Sequence, residues 1–286
     1  MNPPSLFAVR AERGFTLIEL MIAVTIGLLL TVVVASLFIH SRSTYGATDE
    51  LSRMQENIRH TNHLLARMVH HAGYMSTPNA YRDVEQAPAN TAPLVVYDAV
   101  VNPVFTGVEG VGLAADGFAN PDSFTVRFQG SGNGTGTPDG TVTDCQGREI
   151  DSGQFSANRF FIQAGANGGN ALWCNNGVGD AELVPDVENM QLLLGEDTVH
   201  WQDGSSRRDR STDRYLPIAD VLLAGNMNKV MSVRVALLFR TPNIAATVVP
   251  EAKRTYNLNG VVVGPYNDKR IRRAVAMSLN VRNRSY

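Results

Sequence analysis

Residues 20–39 read LMIAVTIGLLLTVVVASLFI, twenty positions without a charge. An apolar run of about 18 or more residues is what a helix needs to cross a bilayer core. Beyond residue 39 the chain turns polar yet keeps a helical rhythm. Leu51, Met54, Ile58, Thr61, Leu65, Met68 and Ala72 recur at alternating spacings of three and four, with Asp49, Glu50, Arg53, Glu56, Arg59 and Arg67 between them. That is one apolar stripe along a polar helix. Gly73 is a stop signal, and Pro78 lies beyond it. The pattern predicts one long helix over residues 15–71, spanning about 85 Å at 1.5 Å per residue. Its first half is apolar all round and its second half is amphipathic. Gly27 and Gly46 are its weak points, where bending or fraying is expected at about 1 kcal/mol each against Ala.

Residues 76–286 have a different texture. Residues 103–180 are rich in Gly, Asn, Asp, Ser and Thr, as in Gly130-Ser-Gly-Asn-Gly-Thr-Gly136, which reads as long loops between short strands. Strands are expected at residues 94–101, 123–129 and 159–163. In the second of these, Phe124, Val126 and Phe128 alternate with Thr125 and Arg127. Residues 186–194, 229–240 and 271–281 read as three further strands, the last alternating through Val275, Met277, Leu279 and Val281. Residues 220–224 read as a short helix or turn. Few helical patterns separate these strands, so the fold class is α+β, a long N-terminal helix on a mostly antiparallel sheet.

Composition narrows the function. The 286 residues carry 25 Lys+Arg against 27 Asp+Glu, a net charge of −2, which is not the basic balance of a general nucleic-acid binder. Hydrophobic residues at 44% exclude a wholly disordered chain. Two cysteines exclude a disulfide-dense mini-protein and a four-cysteine zinc site. Ahead of the apolar run, Arg10 and Arg13 outnumber Glu12. Positive-inside bias keeps that leader cytoplasmic and places everything after residue 39 outside. A secretory signal peptide fits poorly: the run is too long, it starts beside Glu19, and no A-x-A-like site follows.

The segment Gly14-Phe15-Thr16-Leu17-Ile18-Glu19-Leu20 resembles the cleavage motif of type IV prepilins and of the related type II secretion pseudopilins. The resemblance implies that a prepilin peptidase cuts between Gly14 and Phe15, and that Phe15 becomes an N-methylated terminus. It also implies a leader at residues 1–14, a helix at residues 15–75 that spans the membrane at about residues 15–39, and a periplasmic head at residues 76–286. Gly14 lets a peptidase hold the backbone extended where a larger residue resists. Glu19 is an acid entering a bilayer, which costs about 2.5–3.5 kcal/mol and marks function. After cleavage, Glu19 of one subunit has a partner in the Phe15 amine of a neighbour, a register device for packed helices.

Further along, VENMQLLLG at residues 187–195, MSVRVALLFRT at residues 231–241 and the C-terminal RRAVAMSLNVRN resemble the PilW family of large minor pilins. That family implies a pilin-like head and a subunit taking part in pilus assembly, in a priming or tip complex with other minor pilins and the major pilin. It would be held in the inner membrane before joining the fibre, and would support motility, adhesion or DNA uptake. A J-type pseudopilin of type II secretion, or an anchored periplasmic binding or adhesion module, are the alternatives.

Cys145 and Cys174 both lie on the extracytoplasmic side, where a disulfide persists. Closing a loop of about 30 residues stabilises by about 3–4 kcal/mol in the chain-entropy picture. Catalysis is not expected: the sequence has no G-x-S-x-G, no H-E-x-x-H and no phosphate loop. His200, beside Trp201, Asp203, Ser205 and Ser206, reads as an exposed turn. His40, His60, His63, His70 and His71 read as a solvated helix face rather than a metal site, and no cofactor is expected. Asp139 with Asp144, and Asn175 and Asn176 with Asp180, read as turn chemistry, without EF-hand spacing. Two basic clusters, Arg207, Arg208, Arg210 and Arg214, and Lys269, Arg270, Arg272 and Arg273, read as self-neutralised and solvated respectively. Direct nucleic-acid contact is not expected of either.

Overall fold

The computed structural model describes residues 14–75, 105–110, 119–198, 211–242 and 254–283. The chain divides into two compact units, Met1–Thr48 and Asp49–Tyr286. Helix α1, Leu17–His71, runs through both and is unbroken at Gly27 and Gly46. It starts two residues later than its apolar pattern predicts, because Thr16 forms its cap.

In the first unit α1 is long and apolar enough to cross a membrane. In the second, the amphipathic stripe is buried as its spacing predicts. Thr61, Leu65, Met68 and Ala72 are all 0% exposed, while Arg53 and Arg59 stay in solvent. Thr61 lies within the stripe at no polar cost, since its hydroxyl donates to the Asn57 carbonyl at 2.7 Å. Gly73 ends the helix at φ 73°, a conformation that suits glycine. Its N–H then donates to the Arg127 carbonyl, and Gln129 N–H donates to that of Tyr74, so the helix exit is tied to a strand.

Five antiparallel strands follow in a meander: β1 (Phe105–Val108), β2 (Ser123–Gln129), β3 (Phe155–Ala164), β4 (Asn170–Asn175) and β5 (Asp180–Pro185). The second sheet contains β6 (Val187–Glu196), β7 (Arg214–Leu216), β8 (Val230–Arg240) and β11 (Arg272–Asn280), in the order β11-β8-β6-β7, again antiparallel. Helix α2 (Ile218–Leu223) and a 3₁₀ turn (Met227–Lys229) link β7 to β8. A hairpin of β9 (Arg254–Leu258) and β10 (Val261–Tyr266) stands apart from both sheets. The strands predicted at residues 123–129, 159–163, 186–194, 229–240 and 271–281 are all present, with bounds moved by a few residues. The one predicted at 94–101 lies outside the described residues. The Gly-rich stretch is less loop-like than its composition suggests, because β3 is ten residues long and β4 and β5 complete the sheet.

One core joins the helix to both sheets. Leu65, Met68 and Ala72 share it with Phe124, Phe128 and Phe160 of the first sheet and Met190, Val235, Leu237 and Phe239 of the second. Strand β8 is buried on both faces. Its other side, through Ala236 and Leu238, forms a second cluster with Leu258 and Val263 of the hairpin. This explains the unbroken apolar run ALLF within it, which a half-solvated strand would not carry.

The chain passes from the first sheet to the second at Asp186, whose φ is 61°. Such a conformation is uncommon for a residue with a Cβ, and here Arg240 braces it twice. The Arg240 N–H donates to the Asp186 carbonyl and its Nε to Asp186 Oδ1, both at 3.0 Å. Arg240 also lies near Glu188, which Arg272 grips with two donors while holding Asp268 with two more. The Arg272 side chain is only 3% exposed and sits over the Tyr266 ring at 3.8 Å. The basic cluster at residues 269–273 is therefore not the solvated face its charges suggest, since the most central arginine is spent inside the fold.

Removing the stripe should unfasten the second unit. Leu65→Ala is expected to cost about 2–5 kcal/mol, whereas Arg59→Ala, on the exposed face, should stay within about 0.5 kcal/mol. Denaturant unfolding of the full chain in detergent measures both, and equal effects would refute the shared core.

Candidate functional site

The N-terminal segment is built around its helix start. Thr16 Oγ1 accepts from the Glu19 N–H at 3.3 Å, and the Glu19 carboxylate accepts from the Thr16 N–H at 3.0 Å and from its hydroxyl at 2.9 Å. This is a capping box: two otherwise unpaired donors of the first turn are satisfied reciprocally. Its T-x-x-E spacing was open to view in the sequence and identifies Thr16, a residue that the motif reading passed over. Glu19 thus has an intramolecular partner in the single chain before any neighbour arrives.

Just ahead of the cap, Phe15 is 89% exposed. Gly14 is exposed as well, and a Cβ placed there would meet nothing within 4 Å. The isolated chain consequently has no packing reason for glycine at this position. A requirement for it comes from whatever grips the backbone. Arg10 and Arg13 of the leader lie outside the described residues.

In the head, Cys145 and Cys174 form the disulfide that their location suggests, with Cα atoms 6.5 Å apart and a sequence separation of 29. It fastens a turn onto β4. The same turn is held by Cys145 N–H on Asn158 Oδ1 at 2.9 Å and by the Gln146 carboxamide, which donates to the carbonyls of Cys174 and Gly179. Asp144, buried beside it, accepts from the N–H groups of Gln146 and Arg148, from Arg148 Nε and from Asn176 Nδ2. Asn175 Nδ2 donates to Asp180, and Asp139 accepts from Ser131 and Thr141. These oxygens are engaged in turns, and among the described residues no three metal-ligating side chains gather.

The Gly-rich loop is organised by one carboxylate. Asp151 accepts from the N–H groups of Gly134, Gly136 and Gly153. Gly134 and Gly136 adopt φ 78° and 100°, which lets their amides converge on it. Burial works to raise the Asp151 carboxyl, but those amides and that of Ser152 outweigh it and hold it below its usual value.

The helix histidines divide. His60 and His63 are exposed, but His71 is half-buried with its ring edge-on to Phe128 at 5.5 Å, and its buried Nδ1 has no hydrogen-bond partner among the described residues. Burial first, then the charges of Arg67 and His70, push its pKa down, so this residue leaves the solvated face predicted for the group. Arg214 of the first basic cluster pairs with buried Glu196 at 2.8 Å. The other arginines of that cluster and His200 lie outside the described residues.

Asp122 is a buried carboxyl of the head. It closes the free edge of β6, donating its N–H to the Met190 carbonyl and accepting from the amides of Leu192 at 2.7 Å and Gly110 at 2.8 Å. Burial pushes its pKa up to about 6 from 3.8. The two amides offset part of this, and nearby Glu109 adds to it.

Comparisons with known proteins match both ends of the chain. The family model described as type IV pilus-assembly protein W matches residues 159–283, from within β3 to just past β11. The prokaryotic N-terminal methylation motif matches residues 9–35, which contain Gly14, Phe15 and Glu19. Among solved structures, the chain is similar to a type IV-like pilin from Thermus thermophilus at 16% identity and a TM-score of 0.36, covering 84% of this chain and 98% of that one. A likeness that loose carries no residue-level argument. No match was found among curated proteins.

The Asp122 carboxyl makes head stability pH-dependent. The folded chain holds this proton more tightly than the unfolded chain. Stability from this group is therefore present below about pH 4 and declines by about 3 kcal/mol as pH rises to about 6, then levels off. Melting curves of the full chain from pH 4 to 7 should show this slope, and Asp122→Asn should remove it. Parallel curves for the two proteins would show that Asp122 does not titrate as described.

Proposed function

We propose that the chain is a minor pilin of the type IV pilus-assembly protein W kind, whose family model matches residues 159–283, and that it is processed between Gly14 and Phe15 and methylated on Phe15. The observation that carries the proposal is the methylation motif at residues 9–35, on a segment whose Gly14–Phe15 bond is uncovered and whose Glu19 stands at the head of an apolar helix. Among the described residues nothing packs on the Gly14 Cα, which leaves a peptidase access to that bond. The apolar part of α1 anchors the subunit in the inner membrane, leader inside and head in the periplasm, until it is drawn into a fibre. The role is structural rather than catalytic.

Assembly transfers Glu19 between partners. In the single chain its carboxylate is bonded to Thr16. Cleavage creates a new positive amine at Phe15, and an ion pair between that amine and the Glu19 of a neighbour outbids a neutral hydroxyl in apolar surroundings. Wrong register leaves both charges unpaired, which is costly. Other minor pilins and the major pilin are the partners. The size of the second unit, residues 49–286, supports a place in a priming or tip complex more than in a regular shaft.

Two experiments test this. Intact mass and N-terminal sequencing of the native protein should give N-methyl-Phe15, and loss of the prepilin peptidase should restore Met1. A terminus that ignores the peptidase would refute the processing. Glu19→Gln keeps an N3 residue able to cap the helix but removes its charge. This variant should be cleaved normally yet enter pili at least about tenfold less often, whereas undiminished incorporation would leave capping as the whole role of Glu19.

A further inference from the structure

We propose that the head carries a binding site for a neutral carbohydrate, in the polar cavity between the β3–β4 turn and the start of β11. The cavity has a volume of about 320 Å³. That is roughly the share of ten liquid waters and the lower end of ligand-pocket sizes. It suits one or two sugar rings. No known role of the N-terminal segment involves it, and it does not depend on the pilin reading.

Its polar lining comes from Asn170, Glu188, Asn189, Arg240, Asp268 and Arg272. All six are held before any ligand arrives, Asn170 Nδ2 by the Glu188 carbonyl at 3.2 Å and Asn189 Nδ2 by that of Ala119 at 2.7 Å. Arg272 Nη2 holds Glu188 Oε1 at 2.9 Å and Asp268 Oδ2 at 2.7 Å, and its Nε and Nη1 take the remaining oxygens of the same two carboxylates. Arg240 is held by Asp186. Gly169 keeps room for that arginine, since a Cβ there would come within 1.4 Å of Arg240 Nη2. Side chains fixed by other partners lose little freedom on binding.

Charge and shape select the ligand. Two guanidiniums, Arg240 and Arg272, stand against two lining carboxylates, Glu188 and Asp268, with Asp186 holding Arg240 from outside the cavity. This balance disfavours phosphate, sulfate and acidic sugars. What it offers are the second lone pairs of fixed carboxylate oxygens beside arginine donors and the Asn170 carboxamide. Planar groups presenting donor and acceptor side by side match vicinal hydroxyls, each of which can donate and accept. Ala119 and Pro121 complete the lining with an apolar wall, against which the C–H face of a sugar ring can lie.

The test uses the full chain in a detergent with no sugar headgroup, by calorimetry and saturation-transfer NMR. The probes are D-glucose, D-galactose, D-mannose and N-acetyl-D-glucosamine, with D-glucuronate, inorganic phosphate and glycine as contrasts. At least one neutral sugar should bind with a Kd of about 1 mM. Asn170→Ala should weaken it about tenfold, the worth of roughly one hydrogen bond, read at a temperature where melting curves show the variant still folded, because Asn170 Nδ2 also donates to the Glu188 carbonyl. Asp268→Asn, which keeps the shape of the wall, should weaken it as well. Absence of binding by all four neutral sugars would overturn the proposal. So would preferred binding of glucuronate, phosphate or glycine, or sugar binding that neither variant alters.

Discussion

The head depends on burying one stripe of one helix. Leu65, Met68 and Ala72 are fully enclosed, and the surfaces enclosing them belong to two sheets that share no strand pairing. Neither sheet could bury its inner face alone. Each half-buried strand needs an apolar counter-surface, and the amphipathic half of α1 supplies one to both. Dry side chains in the helix, Phe124 and Phe160 on one side and Leu237 and Phe239 on the other thus form a single cooperative core. The tie from Gly73 N–H to Arg127 then fixes where the helix leaves it.

Two sheets also need a place where the chain changes from one to the other. Asp186 provides it at the cost of an uncommon backbone conformation, and Arg240 secures it through both main chain and side chain. The surrounding ions, Glu188, Arg272 and Asp268, hold one another, one bond to each carboxylate oxygen. A buried charge with full partners specifies geometry more than it stabilises. Here that geometry is the junction of β5, β6, β8 and β11, and the cavity proposed to hold a sugar lies against it.

At the other end, a single carboxylate answers to two different demands. In the single chain Glu19 completes a capping box with Thr16. In the proposed assembly of cleaved subunits the same group meets a charge that processing creates. A solvent-exposed bond from a neutral hydroxyl is worth less than a pair of opposite charges in apolar surroundings, so the proposed switch between the two needs no rearrangement of the helix.

What the sequence by itself determined is local. Periodicity of three and four located the stripe from Leu51 to Ala72, and alternation located β2 and β11. The order Gly14, Phe15, Glu19 followed by an apolar run located the segment that matches the methylation motif, and T-x-x-E held the cap for anyone testing that spacing. These signals depend on residues close in the chain, whose geometry is fixed by the helix or strand itself. The tertiary structure alone decided the remainder. Nothing near Arg272 in sequence announces that it is enclosed, because Glu188 lies 84 residues away. Composition could not show that Asp151 would gather the glycine amides, or that Asp122 would seal the edge of β6. Nor could spacing prove that Cys145 reaches Cys174, which requires β3 and β4 to be paired first. Whether a charge is solvated, and whether a glycine loop is loose or nested, depends on which distant segments the core brings alongside, and that is settled only when both sheets close on the helix.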